Sequence, residues 1–223
     1  MKTKMNDHQK KLGLGLLVAI GCYYIYNLNK DDKLSRVIKE VDAINATDPR
    51  DDDGEPKELK YGRRMSSVLL KFQPEASEIE QIAVRSHHIG RWKVPRNSYP
   101  EGKAGYIEWR SFLYSFHGES VGELMGQAGY DAQTVEKVKY ILSKKGIKTK
   151  VRDPSSQLVE DVACLVFLEF YLEDFSHKQT EERLIDIVKK TWPKMSENAH
   201  AAALKLPFTP EQLALIAKAL FIE

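Results

Sequence analysis

The chain has 223 residues, with 34 lysines and arginines against 32 aspartates and glutamates, and is 42% hydrophobic. That is enough apolar material for one globular domain with an appendage, and too much for a disordered chain. The net charge of +2, with both signs interspersed, gives no basic field or continuous stripe for nucleic acid. The two cysteines, Cys22 and Cys164, lack CxxC partners, which excludes zinc-ribbon and thioredoxin-like readings.

The first element in chain order is the uncharged run LGLGLLVAIGCYYIYNL, residues 12–28, preceded by Lys2, Lys4, Lys10 and Lys11. As a helix it would span roughly 26 Å, just under a bilayer core of about 30 Å. Tyr23, Tyr24 and Tyr26 sit at one end, where interfacial aromatics belong. The expectation is an N-terminal apolar helix within residues 1–30 that anchors the protein to a membrane by a single pass. A cleaved signal peptide, or a helix packed on a cytoplasmic domain, are the alternatives.

Residues 31–223 read as one all-α domain. Leu34, Val37, Ile38, Val41 and Ile44 have helical spacing. An acidic break with Pro49, Gly54 and Pro56 follows. Helices are then expected over 58–72 and 76–88, the second ending in Ser86-His87-His88-Ile89-Gly90. Residues 89–105, carrying Gly90, Pro95, Pro100, Gly102 and Gly105, read as a long irregular loop, a type of segment that is often functional. Further helices fit 106–128, 131–144, 156–175, 180–194 and 197–203, and Thr209-Pro210-Glu211 is a start signal for the last.

The phosphate-binding GxxxxGK[ST] pattern, GxSxG and HExxH are all absent. What remains is a constellation of His87, His88, His117, Glu160 and Asp161, whose side chains could converge from different helices of a bundle. Imidazoles move protons and bind metals near neutral pH. Beside it runs a cationic, aromatic stretch in which Arg91, Trp92, Lys93, Arg96, Tyr99 and Arg110 are candidate ligand-binding residues. Arginine forks suit phosphate oxygens, and aromatic faces suit nucleobases. The plainer alternatives are a loop pinned by its own aromatics, and acids at 160–161 that only complement a helix dipole.

From about residue 32 the chain resembles the domain-of-unknown-function 4202 family. The resemblance rests on AINATDP (43–49), ELKYGRRMS (58–66), RSHHIGRWKVPRNSYPEGKAGYIEWR (85–110), QLVEDVACLVFLEFYLEDF (157–175) and KTWPKMSENAHAAALKL (190–206). That family brings no established activity. At the level of fold, Ala83 to Gly90 also resembles the His-Asp helix end of HD-domain phosphohydrolases. The likeness places His87 at the His, His88 at the Asp, Tyr61 at an upstream His, His117 at a downstream His and Asp161 at the late Asp. It implies an HD-like domain that binds or hydrolyses a phosphorylated small molecule or nucleotide. In the hydrolytic form a divalent metal held by His87, His117 and Asp161 activates water. His88 would be a fourth ligand or a general acid or base, which makes His88 and Asp161 the catalytic candidates. The alternative is a non-catalytic ligand-sensing or interaction module with a degenerate metal site.

Overall fold

The computed structural model describes residues 33–221. The expected anchor at 12–28 lies outside the described residues, and among those described no helix is long and apolar enough to cross a membrane.

The fold is all-α, as composition and periodicity imply. Helix α1, residues 33–45, buries Val37 and Val41. The acidic break after it holds a small antiparallel hairpin, β1 (Asp51–Asp52) and β2 (Glu55–Pro56). Its two-residue turn is Asp53-Gly54, both at positive φ (52° and 80°). An Asp-Gly pair is a standard hairpin signal, because both central residues of such a turn must be left-handed. The helical spacing on either side hides it.

Helix α2 (Lys57–Phe72) starts at the hairpin's end, and Asp48 caps it from outside by accepting the Glu58 amide at 3.1 Å. Helix α3 (Glu78–Arg85) opens with a Ser77–Glu80 capping box and stops at Arg85, three residues short of the expected end. The double histidine therefore lies in the turn beyond α3. Helix α4 (Gly102–Gln127) begins four residues earlier than the sequence suggests. Its glycines read as breakers, but Gly105 is a close-packing residue: a side chain there would overlap the Pro100 carbonyl. Helix α5 (Ala132–Leu142) is capped by Asp131.

Helix α6 (Pro154–Phe170) is the centre of the core. It buries Val159, Val162, Leu165 and Val166 and packs on α2, α3 and α5. Its Cys164 is buried as well. The continuous apolar run past residue 170 masks a break at Tyr171, after which α7 (Leu172–Ser176) turns away. Helices α8 (Glu181–Thr191), α9 (Glu197–Ala203) and α10 (Pro210–Phe221) complete the domain, with α8 on α10 and α9 on α6. Pro193 forbids a continued α8, so that helix ends in a short turn at Trp192–Lys194.

Candidate functional site: a histidine and arginine pocket

The turn after α3, the first turn of α2 and the middle of α4 meet at one place. Gly90 closes the turn at φ 61° and donates its amide to Asn45 Oδ1 at 3.1 Å. This brings the rings of His87 and His88 together, 4.7 Å apart and nearly parallel. Adjacent residues inside a helix would diverge by about 100°, so only a helix end permits the pair. Tyr61 of α2 stacks on His88 at 4.2 Å, and its hydroxyl hydrogen-bonds His87 Nδ1 at 2.9 Å.

His88 has no free nitrogen. Arg91 donates to Nε2 at 3.1 Å, so Nε2 carries the lone pair and Nδ1–H donates to Glu58 Oε2 at 3.1 Å. Glu58 is itself buried and held by Arg50 at 2.7 Å, which is locked in turn onto Asp48 at 2.9 Å. Burial raises the Glu58 carboxyl above its usual range. Burial also depresses His87 and His88 well below an ordinary imidazole, reinforced by Lys144 and Arg91. Both rings are neutral at physiological pH.

His117 of α4 donates from Nδ1 to the Ile89 carbonyl at 2.9 Å. Its Nε2 is then an acceptor, and it is buried with no hydrogen-bond partner. Burial lowers this imidazole to about 4. His87, His88 and His117 line a polar cavity of about 190 Å³ together with Arg91, Tyr106, Arg110 and Tyr114. Arg110 donates to Tyr106 Oη at 3.3 Å and to Tyr114 Oη. Neither Arg91 nor Arg110 has a carboxylate at ion-pair distance among the described residues. The nearest, Glu58, reaches Arg91 through the His88 ring.

His88 and Arg91 also line a second, larger groove of about 560 Å³. Its walls are apolar and aromatic: Trp92, Trp109, Phe167, Tyr171 and Phe175, with Arg50 and Arg96 at its margin. Trp109 ties the loop to α4 by donating from Nε1 to the Val94 carbonyl at 2.8 Å, and Arg91 lies over its ring at 4.8 Å. A pocket of about 640 Å³ between α7, α8 and α10 is roomier, but Glu173 and Glu181 on its walls are already bonded to Gln212 and Lys218.

The expected site residues divide clearly. His87, His88, His117, Arg91 and Arg110 are brought together, and Trp92 and Arg96 reach the groove. Lys93 is exposed over Trp92, and Tyr99 packs on Phe112; neither lines the pocket or the groove. Arg96 spends its donors on the Tyr99 and Gly102 carbonyls.

Asp161 departs from expectation altogether. Both its oxygens are engaged, accepting from the Ser196 amide at 2.8 Å, the Ser196 hydroxyl at 2.6 Å and Gln157 at 2.8 Å. It is a structural acid joining α6 to the start of α9. One residue earlier, Glu160 takes the buried Lys144 at 2.8 Å, and this cation is among the charges that depress all three pocket histidines. The expected ligand set of His87, His88, His117 and Asp161 therefore does not fit a metal centre. Asp161 is elsewhere, both His88 nitrogens are spent, and His87 Nδ1 is bonded to Tyr61. Among the described residues no group of three or more His, Cys, Asp or Glu side chains is placed to hold a metal ion.

Glu58 and Tyr114 are the site residues that sequence reasoning left without a role; Tyr106 belongs to the cationic, aromatic stretch, and Lys144 acts on the histidines through its charge without lining the cavity. Glu58 did carry a signal: it is in phase with Gly62, Met65 and Leu69 on the buried face of α2. A carboxylate on a core face needs a partner.

These features define an all-helical protein with a cationic, histidine-lined pocket opening beside an aromatic groove. Residues 35–216 match the family model described as Domain of unknown function (DUF4202), and the chain belongs to that family. No curated protein and no solved structure matches it.

Proposed function

We propose that this domain binds a phosphorylated small molecule with an aromatic part, a nucleotide being the simplest example, and acts as a ligand-sensing module. One observation carries the reading. Arg91 and Arg110 face one small cavity with no carboxylate partner, and that cavity shares His88 and Arg91 with an aromatic groove. Glu58 and Glu160 act on these guanidiniums only from beyond ion-pair distance, so an anion in the cavity would be their direct partner. A planar ring would pack against the groove's aromatic side chains while its phosphate enters the cavity.

The catalytic roles expected of His88 and Asp161 have no free atoms in this arrangement, which favours binding over hydrolysis. The HD-like architecture belongs to the same proposal. The helix end bearing His87 and His88 would keep the address of a His-Asp pair, with Glu58 of α2 supplying the carboxylate that the turn lacks.

The test is titration of the full chain with adenosine 5′-monophosphate, followed by calorimetry. Arg110→Ala and Arg91→Ala should each weaken binding by about tenfold or more, since a hydrogen bond to a charged group contributes about 1.5–3 kcal/mol. Affinity should also fall as salt rises from low to high. Unchanged affinity in both variants, or no binding of any phosphorylated probe by the wild type, would remove this reading.

A further inference from the structure

Resting on the anion-site reading above, we infer that His117 makes the pocket selective for an oxyanion that carries its own hydrogen, such as a hydrogen-phosphate group, over a fully ionised one such as sulfate. The Ile89 carbonyl decides this. It accepts the hydrogen bond from His117 Nδ1 at 2.9 Å, and so leaves a lone pair, not an N–H, at Nε2. That nitrogen is buried and unpartnered, and its ring lines the same cavity as Arg91 and Arg110.

An isolated buried acceptor beside two guanidiniums is an unusual arrangement for a plain anion site. The arginines offer only donors, so they welcome any oxyanion. His117 Nε2 offers only a lone pair, which repels an unprotonated oxygen and accepts from a P–OH group. Inorganic phosphate keeps a proton on at least one oxygen near neutral pH, whereas a phosphate monoester, with a second pKa near 6, keeps one only in its minor monoanionic form and would be taken up in that form. Sulfate has none to give. The rings flanking His117 do not relieve the mismatch: His88 spends both nitrogens on Glu58 and Arg91, and Phe116 meets the imidazole edge to face.

The difference is measurable by isothermal titration of the full chain with inorganic phosphate and with sulfate, at one pH near neutrality and matched ionic strength. Phosphate is expected to bind at least about tenfold tighter, the scale set by leaving a buried polar group unmatched. His117→Phe removes the lone pair, and His117→Gln can turn an N–H₂ toward the anion. In either variant the preference should collapse to within about threefold, while Arg110→Ala should weaken both anions together. Sulfate binding the wild type as tightly as phosphate would overturn the inference and leave the anion site standing. An undiminished preference in both His117 variants would do the same. Binding of neither anion in an Arg110-dependent way would remove the site reading itself, and this inference with it. The wild-type comparison needs no variant to fold.

Discussion

At the scale of single residues, burial decides what each polar group can do. Asp161 and Glu160 are neighbours on α6, yet one fastens α9 and the other holds Lys144 beside the histidines. Asp161→Ala should therefore destabilise the fold by about 1–3 kcal/mol in urea unfolding, because the Ser196 amide and hydroxyl lose their acceptor. Binding of phosphate should be unaffected; a metal-ligand role would instead abolish it. The pocket histidines also set a pH dependence. Their folded pKa values lie below that of free imidazole, His117 at about 4, so below the usual value near 6.5 the unfolded chain takes up protons that the folded one refuses. Stability is fully present above about pH 7 and falls as pH drops toward 4. Glu58, raised by burial, works in the opposite sense over the acidic part of that window. Replacing His117 by Gln should flatten the slope of unfolding free energy against pH by up to about 1.4 kcal/mol per unit. An unchanged slope between pH 5 and 6.5 would contradict the buried, neutral ring.

At the scale of elements, helix identity was legible and helix ends were not. The spacing of Val37 and Val41, of Met65 and Leu69, and of Val162 and Leu165 marks buried faces directly. Boundaries depend on contacts that spacing does not encode. Gly105 looks like a breaker in sequence, while in the fold it lets α4 start against the Pro100 carbonyl. Gly126, in the last turn of the same helix, has open space around its missing side chain. The two positions predict opposite outcomes. Gly126→Ala should raise stability by about 0.5–1 kcal/mol, the usual helix penalty of glycine. Gly105→Ala should lower the melting temperature, since backbone must move to admit the methyl group. Equal effects from the two substitutions would show that propensity alone governs this helix.

At the scale of the whole molecule, the site was legible as a neighbourhood and not as a constellation. The double histidine, His117, Arg91 and Arg110 announce themselves by chemistry and do meet. Asp161 was expected with them through its resemblance to the late Asp of HD-domain proteins; the step of about 100° between it and Glu160 turns Asp161 to Ser196 and Glu160 to Lys144. The roles of Glu58 and Lys144 come from partners far away in sequence, His88 for one and Glu160 for the other. The joined cavity and groove carry a further expectation. Adenosine 5′-monophosphate should quench tryptophan emission through Trp92 and Trp109, and inorganic phosphate should displace it competitively while causing little quenching itself. Simultaneous, independent binding of the two would separate the cavity from the groove. Cys164, in the middle of α6, supplies a clock for the same equilibrium. Its thiol is buried and burial pushes it up to about 12, so a thiol-reactive tag can reach it only while the core is open. The rate of mass gain on the peptide containing Cys164 then counts openings of the domain, and any compound that prefers the closed form slows that rate in proportion to its occupancy.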